Sequence, residues 1–314
     1  MDALRTDMDE ISYLFILSAL LVFVLAMIIF AVETARRSST LSRARAVLVV
    51  GAATPSDPAE YPTSAGSSPW RGSANALVRL ASIGLAVGVV LRGLAAGRFP
   101  LGNMYEFAIS GGLAVSVVFL TVLPNPLLRN AGAWVTGLIA LMLGLGVTIL
   151  HVPSGELVPA LNSIWLVIHV TAATIAGGVF TIGAVVSGLI LYSRARTRRT
   201  RPDDVRRTHA STIEKLERLN HGLHVFAFPI WTFAVMAGAI WAENAWGRYW
   251  GWDPKETWAF ITWVLYAAYL HADVTKGAWA RRAPWFAVAG FAAFVFNFFG
   301  VNLWINGLHS YAGV

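Results

Sequence analysis

The chain has 314 residues, 56% of them hydrophobic and only 13% charged, about half the charged share of a soluble domain. It carries a formal charge of +7 and no cysteine, which excludes a disulfide, a thiolate metal site and a thiol nucleophile. Several apolar runs reach the roughly 20 residues a spanning helix needs. The composition therefore describes an all-α polytopic membrane protein, whereas a β-barrel would need short alternating strands.

The first ten residues are polar and acidic and lead into a full-length apolar run with no small-residue cleavage site. That pattern predicts a retained helix from Ile11 to Val32 rather than a cleaved signal peptide. A linker to Gly72 follows, with Arg36, Arg37, Arg43 and Arg45 early and a Pro/Ser/Gly/Ala-rich stretch later, a composition that favours a flexible loop. Residues 1–72 thus read as one helix plus a cytoplasmic linker, and residues 73–314 as the main transmembrane domain. Within it the apolar runs predict spans over Ala74–Ala95, Met104–Leu123, Ala131–Leu150, Ser163–Tyr192, Gly222–Ala242, Pro254–Val274 and Pro284–Leu303. The basic segment Ser193–Asn220 is expected to be helical in its IEKLERL portion, and no internal repeat is visible.

Eight spans place both termini on one side. Of the lysines and arginines in the loops, 18 fall on one side and four (Arg5, Arg98, Arg248 and Lys255) on the other. The positive-inside rule puts the 18 in the cytoplasm, leaving both termini and the segment 243–258 extracytoplasmic. The localisation expected is the bacterial cytoplasmic (plasma) membrane. The basic charge is an orientation signal to the lipid bilayer, and no nucleic acid is needed to explain it.

The densest sequence feature is WGRYWGWDPKETW, Trp246 to Trp258, which holds four of the 13 tryptophans. Tryptophan and tyrosine gather at membrane interfaces for their amphipathic rings alone, and Asp253 is explained as an N-cap with Pro254 at N1 and Glu256 at N3, a capping box. A belt does not require Trp246, Tyr249, Trp250 and Trp252 within seven residues, with Gly247 and Gly251 between them. If the segment coils, Trp246, Tyr249 and Trp250 share one face, and the glycines leave backbone bare to a flat ligand.

Histidines sort by depth. His169 lies about 9 Å into the fifth span and His309 just past the eighth, whereas His271 stands about 25 Å down the seventh helix. An ionisable residue in a span is a functional candidate, and imidazole is a common axial ligand of heme iron. Singly, each is explained as an interfacial or hydrogen-bonded histidine. Together, His169 and His309 flank an aromatic platform, as ligation of iron from both faces of a porphyrin requires. His221 and His224 read as interfacial, His151 as structural and His209 as part of a solvated loop. Arg92 either snorkels outward or pairs with Glu106.

WGRYWGWD resembles the tryptophan-rich signature of the WWD-domain family, heme-handling membrane proteins of cytochrome c maturation. SIWLVIHV around His169, WVLYAAYLH ending at His271, FGVNLWINGLHSY around His309 and FPLGNMYEF from Phe99 to Phe107 are similar to segments of its CcsA (ResC) branch. The likeness covers roughly residues 80 to 314 and favours that branch over the shorter CcmC. It implies outward-facing heme ligands at His169 and His309 and a membrane-embedded heme ligand at His271. It also implies a surface for heme b built on Trp246, Gly247, Tyr249, Trp250, Trp252, Asp253 and Trp258. Asn103 and Glu106 either contact heme propionates or gate the site, although Asn103 is also explained as a helix cap.

The activity implied is delivery of heme across the membrane and its covalent attachment to the CxxCH thiols of apocytochrome c, that of a cytochrome c synthase component working with a CcsB/ResB membrane protein. The second ligand of an inner heme would come from that partner or from His224. The alternatives are a heme transporter or chaperone without synthase activity and a b-type electron-transfer cytochrome.

Overall fold

The computed structural model describes residues 2–50, 69–155, 157, 159–198, 203–275 and 277–309. Each long apolar run is a helix in it. They are α1 (Asp2–Val50), α2 (Pro69–Ala96), α3 (Met104–Val122), α4 (Gly132–Thr148), α5 (Ile164–Arg198), α6 (Asp203–Trp246), α7 (Pro254–Val274) and α8 (Ala278–Val295). A π-helical turn, Phe296–Gly300, and a short α9, Val301–Trp304, continue α8. There is no strand among the described residues. Six of these helices (α1, α2, α3, α5, α6, and α8 with its extension) are long and apolar enough to cross a membrane, and α4 is a shorter apolar helix of the same kind.

The boundaries differ most from the sequence expectation in α1 and α6. α1 does not stop at Val32 but runs to Val50. Residues 33–50 contain neither glycine nor proline, so nothing interrupts the helix where the charge pattern changes. The Pro/Ser/Gly/Ala-rich stretch expected to be a loop lies almost wholly outside the described residues. α6 joins the basic IEKLERL portion and the sixth apolar run into one helix of 44 residues, about 66 Å at 1.5 Å per residue and well beyond a bilayer's thickness.

The helices alternate in direction, as ion pairs at the two ends of the bundle show. At one end Arg92, near the end of α2, reaches Asp9 near the start of α1 at 2.6 Å and Glu106 in the first turn of α3 at 3.1 Å. The same guanidinium donates to the Val152 carbonyl, just past α4, at 2.9 Å. At the other end Arg129, before α4, pairs with Glu33 of α1 at 2.9 Å, and Arg194 of α5 with Glu217 of α6 at 2.7 Å. There, too, His221 of α6 meets Asp273 at the end of α7 at 2.7 Å. Between these polar ends the helices pack through residues such as Ile16, Phe23, Val78, Leu85, Ile109, Phe119, Leu143 and Val186, all essentially inaccessible.

Candidate functional site

α5 and α7 begin, and α6 and α8 finish, at the end where Arg92 sits, and a cavity opens among them and the start of α3. It encloses about 1110 Å³ of space outside protein atoms, counting its open mouth. Its walls are largely apolar and aromatic: Phe107, Trp231, Trp241, Trp246, Trp250, Phe294 and Phe298. His169 and His309 both line it.

The two imidazoles are held alike. His169 Nδ1–H donates to the Ala234 carbonyl of α6 at 2.7 Å. His309 Nδ1–H donates to Asp253 Oδ2 at 2.9 Å. A carbonyl or carboxylate can only accept, so each Nδ1 carries the proton and each lone pair sits on Nε2. Indole rings pack around both. Trp241 stacks with His169 at 6.1 Å between centroids and meets His309 edge-on at 5.5 Å, while Trp246 meets His309 at 4.9 Å. Gly238 makes the His169 position possible. A Cβ there would lie 2.7 Å from His169 Nδ1, so only glycine lets the ring lie against α6.

The Trp-rich segment does not coil. α6 ends at Trp246, Gly247 turns the chain with φ +71°, and residues up to Asp253 form a loop. Trp246, Tyr249 and Trp250 reach the cavity through this turn rather than through helical spacing. Glu256 shapes the loop, because its Oε2 accepts from the backbone N–H of both Gly251 (2.8 Å) and Asp253 (3.0 Å). Trp252, between them, is driven to φ +57°, a left-handed conformation that costs a side-chain-bearing residue about 1–2 kcal/mol. The expected capping box on α7 is present.

Asp253 does more than cap. Its carboxylate also accepts from the Leu308 N–H at 2.8 Å, so it ties the tail holding His309 to the start of α7. Burial alone would raise the Asp253 carboxyl, but the hydrogen bonds from His309, Leu308 and Lys255 outweigh it and hold the group down at about 2. The His309 imidazole shifts below its ordinary value, chiefly through burial and further through the nearby Lys255 charge, against the pull of Asp253.

Of the residues singled out from the sequence, His169, His309, Trp246, Tyr249, Trp250 and Asn103 line the cavity. Gly247, Trp252, Asp253 and Trp258 shape or surround the loop without lining it. Trp252 is exposed, and Trp258 packs on Phe296. Glu106 is fully buried and is bound by Arg92, by Arg98 at 2.7 Å and by the Gly102 N–H at 2.8 Å. Its carboxylate is engaged inside the bundle, and Glu106 is not among the residues lining the cavity. Asn103 caps α3 through the Glu106 N–H at 2.8 Å. Arg92 does not snorkel; it joins this network.

His271 is exposed near the far end of α7. His224, expected at the interface, is instead 1% exposed, with Nδ1–H on the Asn220 carbonyl at 2.8 Å and its ring against Tyr269 at 4.2 Å. His151 stands edge-on to Tyr13 and Tyr105, and the His209 side chain lies outside the described residues.

Sequence reasoning missed Trp241, Lys255, Asn297 and Asn302, which also line the cavity. The two asparagines interrupt an otherwise apolar run, and that was the available signal. It also missed a recurrence. Arg98, Asn103 and Glu106 around the start of α3 match Arg248, Asp253 and Glu256 around the start of α7: an arginine on the glutamate, a polar N-cap, and a glycine N–H on the same glutamate.

Fold and cavity together define a polytopic helical membrane protein with an imidazole-flanked, aromatic-walled chamber at one end of its bundle. Residues 101–309 match the family model described as cytochrome C assembly protein. A cytochrome c biogenesis protein CcsA of Guillardia theta is 35% identical over 253 residues, 74% of this chain and 83% of that protein. The CcsA of a Synechococcus species is 34% identical over 266 residues, 75% of this chain and 85% of that protein. The chain belongs to this family, as a CcsA-type cytochrome c biogenesis protein. Among solved structures, the cytochrome c heme lyase CcmF superposes with a TM-score of 0.67 at 16% identity, over 93% of this chain and 46% of that one. This last likeness is one of fold.

Proposed function

We propose that the chain carries heme b to the extracytoplasmic side of the membrane and, with a CcsB/ResB partner, presents it to the CxxCH thiols of an apocytochrome c. The observation that carries this reading is the pair His169 and His309, each with Nδ1 anchored, lining one aromatic chamber. Histidines that ligate a metal characteristically give their other nitrogen to a carbonyl or carboxylate, which fixes the ring and raises its basicity. Heme supplies the vinyl carbons to which the thiols add. The chain's own part is to hold the macrocycle against Trp241, Trp246 and Trp250, to orient it between the imidazoles and to keep water away.

Eight spans with both termini outside are the topology we favour. The alternating helix directions support it, and so does the concentration of basic residues at the end opposite the cavity. An inner heme would rest on His271. That residue is exposed on the bundle surface, whereas His224 is sealed among Phe180, Tyr266 and Tyr269. A second imidazole from a CcsB/ResB partner fits this arrangement better than His224 does.

Co-expression with CcsB/ResB and a CxxCH substrate, in cells lacking every other maturation factor, tests the reading. Covalent cytochrome c is expected from the intact chain and is expected to fall sharply with His169→Ala or His309→Ala. Bound heme without covalent product would make the chain a carrier that hands heme to a separate synthase.

A further inference from the structure

Lys255 is a cation without an evident reason to be where it is. It occupies the second position of α7, after Asp253 and Pro254, where the helix dipole is positive and a cation is disfavoured. Its side chain lines the largely apolar cavity, and its Nζ donates to Asn302 Oδ1 at 2.8 Å. Phe298 lies below it, with the ring centroid 6.0 Å from Nζ. Of the nearby carboxylates, Glu256 accepts from Arg248 at 2.9 Å, and Asp253 accepts from His309 and Leu308. A lysine in such a wall, with a neutral amide as its hydrogen-bond partner and the Asp253 charge acting on it only from a distance, has no carboxylate in contact among the described residues and is short of a close anion.

A second unspent group lines the same cavity. Asn297 is 7% exposed, and its Oδ1 is buried with no hydrogen-bond partner among the described residues. It stands in the π-helical turn Phe296–Gly300, a distortion that recurs at functional sites because the wider turn re-aims side chains. An amide is nearly symmetric in shape, so rotation about its last torsion offers N–H donors in place of the orphaned oxygen.

We propose that Lys255, with Asn297 and Asn302, forms a carboxylate-binding corner of the cavity and recognises a propionate of the tetrapyrrole. This rests on the heme reading above and adds to it which edge of the macrocycle is held. An ammonium gives a charge-assisted hydrogen bond to a carboxylate, and in an apolar chamber that bond discriminates strongly against an uncharged ester. The corner thereby sets the rotation of the ring in its plane, and with it the edge left to the incoming thiols.

The test compares binding of ferric protoporphyrin IX and of its dimethyl ester to the detergent-solubilised full chain, read from the Soret band. The intact protein is expected to prefer the free acid by about tenfold or more, the scale of one charge-assisted hydrogen bond. Lys255→Met should bring that ratio towards one while the bis-imidazole spectrum persists, and Lys255→Arg should restore the preference. Asn297→Asp, which places a negative charge in the corner, should weaken the free acid and spare the ester; it keeps the test open if Lys255→Met does not fold. Equal binding of both porphyrins by the intact protein, or an equal loss of both in Lys255→Met, would overturn the corner and leave the heme site standing. Binding of neither porphyrin to the intact protein would overturn the heme reading itself.

Discussion

The starts of α3 and α7 are built to one plan and put to different ends. Both place an arginine and a glycine N–H on a first-turn glutamate and set a polar side chain at the N-cap. At α3 the glutamate is sealed: Glu106 is held by Arg92 as well as Arg98, and the network continues to Asp9 and the chain after α4. At α7 the glutamate has one arginine and faces the cavity, and the cap is the anion Asp253, free to grip the tail with His309. One clasp locks helices together. The other spends the same geometry on orienting an imidazole.

The sharpest way to break this contrast is to remove each glutamate. Glu106→Ala leaves two arginines without their shared carboxylate, Arg92 fully buried among them, and should cost about 3–5 kcal/mol. Glu256→Ala frees an arginine whose side chain is already 30% exposed and should cost only about 1–2 kcal/mol. Thermal unfolding in detergent ranks the two, and equal losses would mean that the clasps do not differ as described.

Replacing the cap of α7 comes next. Asparagine caps as well as aspartate does, so α7 should still start at this position in Asp253→Asn, and the loss of the charged acceptor for Leu308 and His309 should cost about 1–3 kcal/mol. It should also weaken heme binding by about 10–100-fold, the usual consequence of losing the carboxylate behind a ligating imidazole. If Asp253→Asn binds heme normally, the carboxylate is only a cap.

Acidification gives a smaller effect with a defined sign. His309 is shifted below its ordinary value of 6.5; the undocked tail therefore takes up the proton first, and this contribution to docking is lost as pH falls below 6.5. Asp253 is held down at about 2 from 3.8, so its contribution persists above 3.8 and disappears as pH falls through 2. Limited proteolysis of the tail against pH should show increasing cleavage below 6.5, with a further rise below 3.8. Tail cleavage that grows instead as pH rises would contradict the assignment. The smallest effect is that of Asn103→Ala, about 1 kcal/mol for a lost N-cap.

Much of this contrast could not be read from the chain. The apolar runs, the capping box at Asp253 and the positions of His169 and His309 followed from periodicity, turn chemistry and resemblance, because each is a local pattern. The recurrence of Arg98–Asn103–Glu106 in Arg248–Asp253–Glu256 was overlooked because it is three residues spread over nine, set among unlike neighbours. The network around Glu106 was only partly legible for a related reason: its arginine partner on α2 was one of two open alternatives, and Asp9 and Val152 meet that arginine only once four helices are packed. Trp241 was hidden inside an apolar run, where a tryptophan carries no sign of which way it faces. α1 outran its expected end because a change from apolar to basic composition alters where a helix meets water without breaking it.

A single porphyrin held between His169 and His309 is the central claim, and the absorption spectrum of the purified, detergent-solubilised chain with its partner addresses it directly. A bis-imidazole heme spectrum is expected, reduced at the outer site by His169→Gly or His309→Gly and restored by added imidazole. A colourless protein, or a spectrum unchanged when both histidines are replaced, would contradict it.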